Sequence, residues 1–559
     1  MADNNNKENL SSTERIKMAS DNLRGTLADG IANEITGNIS DDDTALVRFH
    51  GMYIQDDRDR REERAAKKLE RLYSFMIRLR LTGGFISPEQ WIALHHVAGE
   101  HSTGVIKITT RQTIQLHGVL KSKVKPTLKA FNEANLTTIA TCGDINRNVI
   151  MTANPHDSPL HTEVYGIANE ITEMLLPKTH GYYEIWLDAE KLVEKELEED
   201  PLYQNRYMPR KFKIAIAIPP VNDVDVLTND LALIAIEEKG KLKGFNIAVG
   251  GGMSATHGNP DHYPRLASVI GFVDTKEKLL KAVYEVLTVQ RDYGNRSDRK
   301  QARLKYTVDK YGADWYRHEV ERRAGFAMEE PRPFAFGTRS DTYGWTTDSR
   351  GLSHYTVFVE NGRVYDSENL PLKTALLEVA KTGKANIRFT CNQNVLVSDI
   401  KKGDRKEIEA ILVRFGIVAH TEAASLVRKN AVACVALPTC PLALAEAQRY
   451  MPSLLTKIEN ILEKHDLLRE EIVMRMTGCP NGCARPFAAE IGFVGTGPGK
   501  YNLYVGGDRV GTRLNTLYKE SLDEPAILSE LDALFGEYKN GRGAGETFGD
   551  YSRRAVLAG

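Results

Sequence analysis

The chain has 559 residues, of which 42% are apolar and 27% charged, so intrinsic disorder and coiled coil are excluded as its main state. Lys plus Arg number 74 and Asp plus Glu number 75, and a net charge of −1 gives no global field for binding nucleic acid or an anionic membrane. At roughly 150 residues per domain, the length predicts three or four domains. The sequence has no apolar run near the roughly 20 residues of a membrane span and no recognisable signal peptide, so we expect a cytoplasmic location.

Residues 1–70 are polar and rich in charge, which predicts either a mobile arm or solvated helix, or a docking arm for a partner. From about residue 71 onward, strand-like and helix-like patterns alternate, which predicts an α+β (mixed α/β) chain. We expect strands at 105–116, 212–218, 245–249, 387–397 and 501–505. We expect helices at 126–134, 160–175, 276–291, 442–464 and 525–535.

Two segments of the first half recur, in the same order, in the second half. Residues 106–116 (IKITTRQTIQL) resemble 387–397 (IRFTCNQNVLV), and 245–251 (FNIAVGG) resemble 501–507 (YNLYVGG). The matches indicate a duplicated unit with a period of about 260–280 residues, and a chance pairing of strand-rich strings is the alternative. A duplication would create a pseudo-two-fold interface, which is a favoured place for a ligand site.

Four of the six cysteines fall into two pairs, Cys434 with Cys440 (C-x5-C) and Cys479 with Cys483 (C-x3-C). Thiolates are soft ligands that suit zinc or an iron–sulfur cluster. Structural zinc usually has shorter spacings, so the pattern favours a cluster over zinc or buried spectator thiols.

The residues around these pairs carry further expectations. Pro441 predicts a helix that begins directly after Cys440, and the partial positive charge of its N-terminus would stabilise thiolates. Gly478 and Gly482 make the second loop tight. Cys142 and Cys391 are expected to be buried as small apolar side chains.

Basic side chains gather on single faces of the predicted strands. Between residues 107 and 117 the odd positions are all basic or hydrogen-bonding: Lys107, Thr109, Arg111, Thr113, Gln115 and His117. Because side chains alternate across a strand, one face would carry cations and no acid, although an ordinary solvent-facing strand is the alternative. Further cations share faces or polar surroundings at Arg78, Arg80, Arg147, Lys211 and Lys213.

Acid-free cationic faces in a neutral protein predict a strongly anionic ligand, or a large one with several carboxylates. The sequence has no G-x-x-x-x-G-K-[ST] loop and no G-x-G-x-x-G motif after a strand. We therefore expect no nucleotide site in this chain.

Together these motifs resemble the siroheme sulfite/nitrite reductase family, and within it the hemoprotein (beta) subunits of assimilatory NADPH-dependent sulfite reductases. The resemblance extends over nearly the whole chain, and C-x5-C followed by TGCPNGCARP is highly specific. The other matching stretches are 78–84 (RLRLTGG), 109–117 (TTRQTIQLH), 144–148 (DINRN), 209–213 (PRKFK) and 292–300 (DYGNRSDRK).

The resemblance implies a pseudo-two-fold duplicated siroheme sulfite/nitrite reductase fold. It implies ferredoxin-like half-domains at 71–140 and 340–420, and two α/β siroheme-binding domains at 141–339 and 421–559. The second of these domains carries the cluster cysteines. Residues 1–70 resemble the segment with which such hemoproteins dock a flavoprotein.

The resemblance also implies two cofactors, siroheme and a 4Fe-4S cluster. The cluster would be held by Cys434, Cys440, Cys479 and Cys483, and Cys483 would also bridge to the siroheme iron. Siroheme bears eight carboxylates, and the residues that would line its pocket are Lys107, Thr109, Arg111, Gln115 and His117, with Arg303 and Lys305 as further additions. Arg78, Arg147, Lys211 and Lys213 would surround sulfite, neutralise it and deliver protons.

The implied activity is the six-electron reduction of sulfite to sulfide, in sulfate assimilation and cysteine biosynthesis. Electrons would come from NADPH through FAD and FMN of a separate flavoprotein (alpha) subunit, in a hetero-oligomer. A ferredoxin-dependent sulfite or nitrite reductase is the alternative, although Lys213 favours sulfite because siroheme nitrite reductases typically have asparagine there. A non-redox, zinc-stabilised anion-binding protein is a remote alternative. Lys107 replaces a common arginine and Thr110 a common asparagine, which puts individual carboxylate contacts in doubt.

Overall fold

The computed structural model describes residues 9–154, 156, 158–178 and 199–558. Residues 1–8 of the charged N-terminal segment lie outside the described residues. Within the described part, four five-stranded sheets organise the chain, and we number them 1 to 4.

Sheets 1 and 3 are antiparallel, and four of the five strands of each come from one half of the chain. Sheet 1 has the strand order Met52–Asp56, Tyr73–Arg78, Ile114–Val119, Ile106–Ile108, Arg363–Val364. Sheet 3 has the order Gly344–Thr347, Ser353–Val357, Val395–Ile400, Asn386–Phe389, Phe85–Ile86. The last strand of each sheet comes from the other half of the chain, so the two halves exchange an edge strand.

Sheets 2 and 4 share a mixed topology. Sheet 2 has the order Ser268–Val273, Lys241–Val249, Leu231–Glu238, Ile214–Ala217, Ile150–Met151. Sheet 4 has the order Ala431–Ala433, Met474–Thr477, Ile491–Gly497, Lys500–Val505, Thr516–Leu522. Taken in chain order, the first three strands of each sheet pair in parallel with one another. The fourth and fifth strands are then added antiparallel. This repeated topology is the duplication that the sequence predicted.

Helices cover the sheets and bury an apolar core. Those of the first half, as described, are Ser12–Ala19, Leu27–Ala32, Asp41–Leu46, Arg61–Ala66, Pro88–His101, Lys121–Glu133, Pro159–Met174, Lys276–Tyr293, Leu304–Tyr311 and Ala313–Ala324. Those of the second half are Leu372–Lys381, Arg405–Arg414, Ile417–Ala423, Leu426–Lys429, Met451–Lys464, Glu524–Gly541 and Phe548–Tyr551. One core runs through sheets 1 to 3 and a second lies under sheet 4. Among the described helices, none has the length and apolarity needed to cross a membrane.

Two predicted strands are wrong in their connectivity. Residues 105–116 and 387–397 each form two strands joined by a tight turn, in which Gln112 and Gln393 have positive φ. The turn at 109–113 closes with a hydrogen bond from the Thr109 amide to the Thr113 carbonyl. Arg111 therefore lies in the turn, so the predicted alternation from residue 107 to residue 117 does not describe one continuous face.

The predicted helix at 442–464 begins only at Met451. The Leu444 and Ala445 amides donate to the Gly478 carbonyl, which holds 441–450 as a loop. The helix N-terminus expected after Cys440 is therefore wrong. The other predicted helices, and the strands at 212–218, 245–249 and 501–505, overlap elements of the structure.

The N-terminal segment is folded onto the body from residue 9 onward. Leu27, Leu46 and Phe49 are buried, and Met52–Asp56 is an edge strand of sheet 1. The expectation of a mobile arm is thus wrong for residues 9–56, whereas the helix Arg61–Ala66 has no buried residue, as expected of a solvated helix. Its role in docking stays a prediction, as do the domain boundaries.

Candidate functional site

A pocket lies where sheet 2, sheet 4 and the 109–113 turn of sheet 1 meet. Its polar lining comes from distant parts of the chain: Thr110, Arg111, Lys211, Lys213, Thr228, Asn229, Ser254, Arg303, Asn481, Cys483 and Arg485. Five of the predicted site residues line this pocket, namely Arg111, Lys211, Lys213, Arg303 and Cys483. The fold thus places cations beside a cysteine of the second pair.

Lys211 and Lys213 enter the pocket because they immediately precede the strand Ile214–Ala217, with Phe212 buried between them. Burial, together with the neighbouring cations Arg210 and Arg303, lowers the pKa of Lys211 to about 7. Burial and Lys211 lower the pKa of Lys213 well below its usual value. No carboxylate pairs with either ammonium group among the described residues. Two buried amines without an acid are suited to receiving an anion.

The two pocket arginines differ in how their charges are compensated. Arg111 donates to the Asn229 side chain (2.7 Å) and to the Asn148 carbonyl (2.6 Å), both neutral acceptors. Burial lowers its pKa to about 9. Arg303 instead forms a bidentate pair with Asp230, with both distances 2.9 Å. Arg111 therefore brings uncompensated positive charge to the pocket, whereas Arg303 has a buried counter-ion.

Lys305 does not line the pocket. Its ammonium group donates to the Ser254 carbonyl at 2.8 Å and to the Tyr263 carbonyl, and it lies 4.9 Å from the centre of the Tyr306 ring. Burial, with Arg303 nearby, lowers its pKa to about 7. Its contact with siroheme stays a prediction, and the bonds of its ammonium group to these carbonyls do not favour that contact.

Lys107, Gln115, His117 and Arg78 form a second cationic group on sheet 1, where Gln115 is in register with both Lys107 and Arg78. Gln115 accepts from Arg78 Nε at 3.2 Å and donates to His117 Nε2 at 3.0 Å. Burial and the adjacent cations hold the pKa of His117 well below its usual value, so its ring is neutral. Burial likewise lowers the pKa of Lys107 to about 8.

The same group reaches the loop of the first cysteine pair. Thr439 Oγ1, next to Cys440, lies 3.3 Å from His117 Nδ1. Thr109, by contrast, acts within the turn, where its hydroxyl accepts from the Arg111 amide at 3.1 Å. Sequence reasoning had placed Thr109 on the cationic face.

Arg78 and Arg147 converge on the loop at 141–143. Arg147 donates twice to the Gly143 carbonyl (3.0 and 2.8 Å) and once to the Thr141 carbonyl. Arg78 Nη1 lies 3.4 Å from the same Thr141 carbonyl and 3.1 Å from Cys142 Sγ. Both guanidinium groups thus use neutral acceptors. Cys142 is buried, as predicted, and so is Cys391.

The four paired cysteines lie on loops that follow neighbouring parallel strands of sheet 4, Ala431–Ala433 and Met474–Thr477. The Gly478 amide donates to Cys434 Sγ and the Asn481 side chain to Cys479 Sγ, each at 3.4 Å. Burial, together with the charge of Cys483, raises the pKa of Cys434, of Cys479 and of Cys440, the last to about 11. Buried thiols with raised pKa values ionise when they bind a metal.

These loops are packed closely. A Cβ atom at Gly478 would lie 2.4 Å from the Ala445 carbonyl oxygen, and one at Gly482 would lie 2.5 Å from the Met253 carbonyl oxygen. Among the described residues, no three His, Cys, Asp or Glu side chains converge on a point that a single metal ion could fill.

The residues present fit a cluster joined to an anionic macrocycle. Cys483 is at once electrostatically coupled to the other three thiols and part of the wall of the cationic pocket. The remaining walls supply Arg111, Lys211 and Lys213 with no bound carboxylate among the described residues. Soft sulfur ligands and an acid-free cationic wall are the donor set that an iron–sulfur cluster and a polycarboxylate require.

Sequence reasoning missed a buried ionic network behind the pocket. Asp225 is fully buried and pairs with Arg339 (3.3 Å), Arg485 (2.5 Å) and Arg475. Arg485 also donates to the Thr110 carbonyl at 2.8 Å, and the Thr110 hydroxyl donates to the Cys483 carbonyl at 3.0 Å. The network thus connects the cysteine loop to the turn that carries Arg111.

The duplication was the signal that could have revealed this network. Asp225 and Arg485 are 260 residues apart, as are the strand starts Leu231 and Ile491. Each of the two precedes a short 3-10 helix and has a left-handed backbone. Equivalent positions of the two repeats therefore carry opposite charges that pair across the pseudo-two-fold interface.

Comparison with known proteins identifies the class. Residues 68–134 and 347–415 match the family described as "Nitrite/Sulfite reductase ferredoxin-like half domain". Residues 166–328 match "Nitrite and sulphite reductase 4Fe-4S domain", a stretch that precedes the four paired cysteines. The chain belongs to the nitrite and sulfite reductase family.

Relatives with curated names are similar over almost their full length. A Leptospira biflexa protein named "Sulfite reductase (NADPH) hemoprotein beta-component" is 62% identical, with 98% of each chain covered. A Staphylococcus saprophyticus protein of the same name is 50% identical, with 99% of this chain and 97% of that one covered. The solved structure of the Mycobacterium tuberculosis NirA protein superposes with a TM-score of 0.77 at 24% identity, covering 98% of this chain and 96% of that one, which supports the fold.

Proposed function

We propose that the chain reduces sulfite to sulfide at siroheme coupled to a 4Fe-4S cluster, as the hemoprotein component of an NADPH-dependent sulfite reductase. The observation that carries the proposal is the meeting of Cys483 with Lys211, Lys213 and Arg111 in one pocket. Relatives that are at least half identical over nearly the full chain bear the corresponding name.

Cys434, Cys440, Cys479 and Cys483 would hold the cluster, and Cys483 would also join it to siroheme. Bound there, the two groups would supply stored electrons and a redox-active iron centre. Arg111, Lys107, Gln115, His117 and Arg303 are proposed to face the carboxylates, with Thr109 shaping the turn. Of the predicted siroheme-binding residues, Lys305 has the least support, because it does not line the pocket.

Sulfite takes up six electrons and seven protons to give hydrosulfide and three waters, so the site must both bind a dianion and supply protons. We assign the binding to Arg78 and Arg147, because the planar guanidinium group offers an anion several N–H donors. We assign proton transfer to Lys211 and Lys213, whose pKa values are lowered by burial and by adjacent cations. An anion beside these amines raises their pKa again, so substrate binding itself loads the site with protons.

The electron donor is proposed to be a separate flavoprotein (alpha) subunit that oxidises NADPH with FAD and FMN, in a hetero-oligomer. The exposed charges of the helix Arg61–Ala66 and the residues after it are the candidate docking surface. The six cysteines are free, which fits a reducing compartment, and we also propose a cytoplasmic location.

Sulfide formation tests this proposal directly. With reduced methyl viologen as donor, the purified holoenzyme should form one sulfide for every six electrons consumed, without NADPH or a partner. A protein that oxidises the dye with nitrite but gives no sulfide from sulfite would support the nitrite reductase alternative. Adding ferredoxin or the NADPH flavoprotein then distinguishes the two donors.

A further inference from the structure

The loop that carries Cys440 has little apolar anchorage on its outer side. Leu442 and Leu444 are 63% and 41% exposed, although both are large apolar residues. On its inner side the loop is held by the bonds of Leu444 and Ala445 to the Gly478 carbonyl. Because 441–450 is not helical, the carbonyls at 440–443 need hydrogen-bond donors from elsewhere.

A single side chain of the N-terminal segment provides those partners. Arg58 donates to the carbonyls of Cys440 (3.0 Å), Pro441 (2.6 Å) and Ala443 (2.8 Å). The Arg58 amide also lies 3.4 Å from the Pro438 carbonyl. One planar guanidinium group thus donates hydrogen bonds to three backbone carbonyls of the Cys440 loop, which is more than 380 residues away in sequence.

We propose that Arg58 is a positioning residue, which holds the Cys440 loop in the conformation that the iron–sulfur cluster needs. This inference rests on the proposed function, because it assumes that Cys440 is a cluster ligand. Arg58 does not touch the substrate pocket. Its guanidinium acts through the carbonyl of Cys440 and adds a fixed positive charge beside an anionic centre.

The neighbouring residue Arg60 provides a matched control. It lies in the same short helix, Arg58–Arg60, is exposed, and pairs with Glu63 at 3.2 Å. Replacing it removes the same charge from the same segment without removing a bond to the cysteine loop. Arg58→Lys keeps the charge but cannot reach three carbonyls with one planar fork.

The experiment compares the holoenzyme with R58Q, R58K and R60Q. Iron release into excess EDTA and the EPR-monitored reduction potential of the cluster are measured for each. We expect R58Q to lose iron on the order of tenfold faster, since hydrogen bonds from a charged donor are the strong ones. We expect its potential to move to more negative values, because the reduced cluster loses a nearby positive charge. R58K should lie between, and R60Q should match the parent protein.

Equal iron release from R58Q and R60Q, or an unchanged potential in R58Q, would overturn the positioning role. A parent protein that contains no cluster would instead refute the proposed function, so the two failures are distinguishable. Should R58Q not fold, R58K decides the matter alone. Its iron release must exceed that of R60Q for the proposal to stand.

Discussion

The ionic network at Asp225 gives the sharpest quantitative prediction. Asp225 is fully buried among three arginines, and Arg475, at 1% exposure, has Asp225 as its hydrogen-bond acceptor among the described residues. Arg339 and Arg485 also donate to backbone carbonyls. These carbonyls are neutral, so Asp225→Asn leaves three buried guanidinium charges without a carboxylate, at a cost of at least about 3–5 kcal/mol in the free energy of unfolding.

Burial lowers the pKa of Arg475 to about 9 although Asp225 raises it, so the side chain is charged at neutral pH in the parent protein. The assay is urea unfolding of the holoenzyme followed by tryptophan fluorescence. Asp225→Asn combined with Arg475→Met should regain part of the loss, because the Arg475 charge is gone while Arg339 and Arg485 still lack a carboxylate. The matched control is Asp532→Asn, which breaks an exposed pair with Lys464 and changes the contact with His465, and it should cost about 1 kcal/mol. A loss at Asp225 no larger than at Asp532 would refute the reasoning.

Three further predictions concern turnover. With reduced methyl viologen as donor, Lys213→Asn should lower sulfite turnover and raise the ratio of nitrite turnover to sulfite turnover. An unchanged ratio would contradict the specificity role of Lys213. For the parent protein, kcat/KM for sulfite should fall as pH rises through about 7, since Lys211 then loses its proton. Lys211→Arg should make this fall of kcat/KM with pH less steep, whereas titration of the substrate affects both proteins equally. An identical pH profile in the two proteins would contradict proton transfer from Lys211. Reversing the exposed charges Glu62 and Lys67 should weaken turnover with NADPH and flavoprotein while sparing turnover with methyl viologen; equal effects on both would argue against docking there.

The N-terminal docking idea cannot be tested by a large deletion. Removing residues 1–60 would delete the edge strand Met52–Asp56 and the buried side chains of Leu27, Leu46 and Phe49. It would also remove Arg58. Point changes on the exposed helix Arg61–Ala66 separate docking from folding.

Much of the site could be predicted because its signals are local. The spacing of Cys434, Cys440, Cys479 and Cys483, and the acid-free pair Lys211 and Lys213, are visible in short stretches of sequence. The duplicated fold was predicted from repeated strand motifs, and the repeated topology of sheets 2 and 4 confirms it.

The errors arose where distant contacts decide local structure. Alternating residues from 107 to 117 predicted one strand, but the turn at Gln112 makes a hairpin in which both strands are paired. Pro441 predicted a helix, but bonds to the Gly478 carbonyl and to Arg58 hold a loop. The partners of Asp225 come from segments more than 100 residues away, so no local pattern showed them.

Cofactor analysis of the purified protein tests the central claim most directly. Expressed with full siroheme supply, it should contain about five iron atoms, four acid-labile sulfides and one tetrapyrrole per chain. Cys440→Ser should lower iron and sulfide together. A parent protein free of iron and pigment under those conditions would contradict the account.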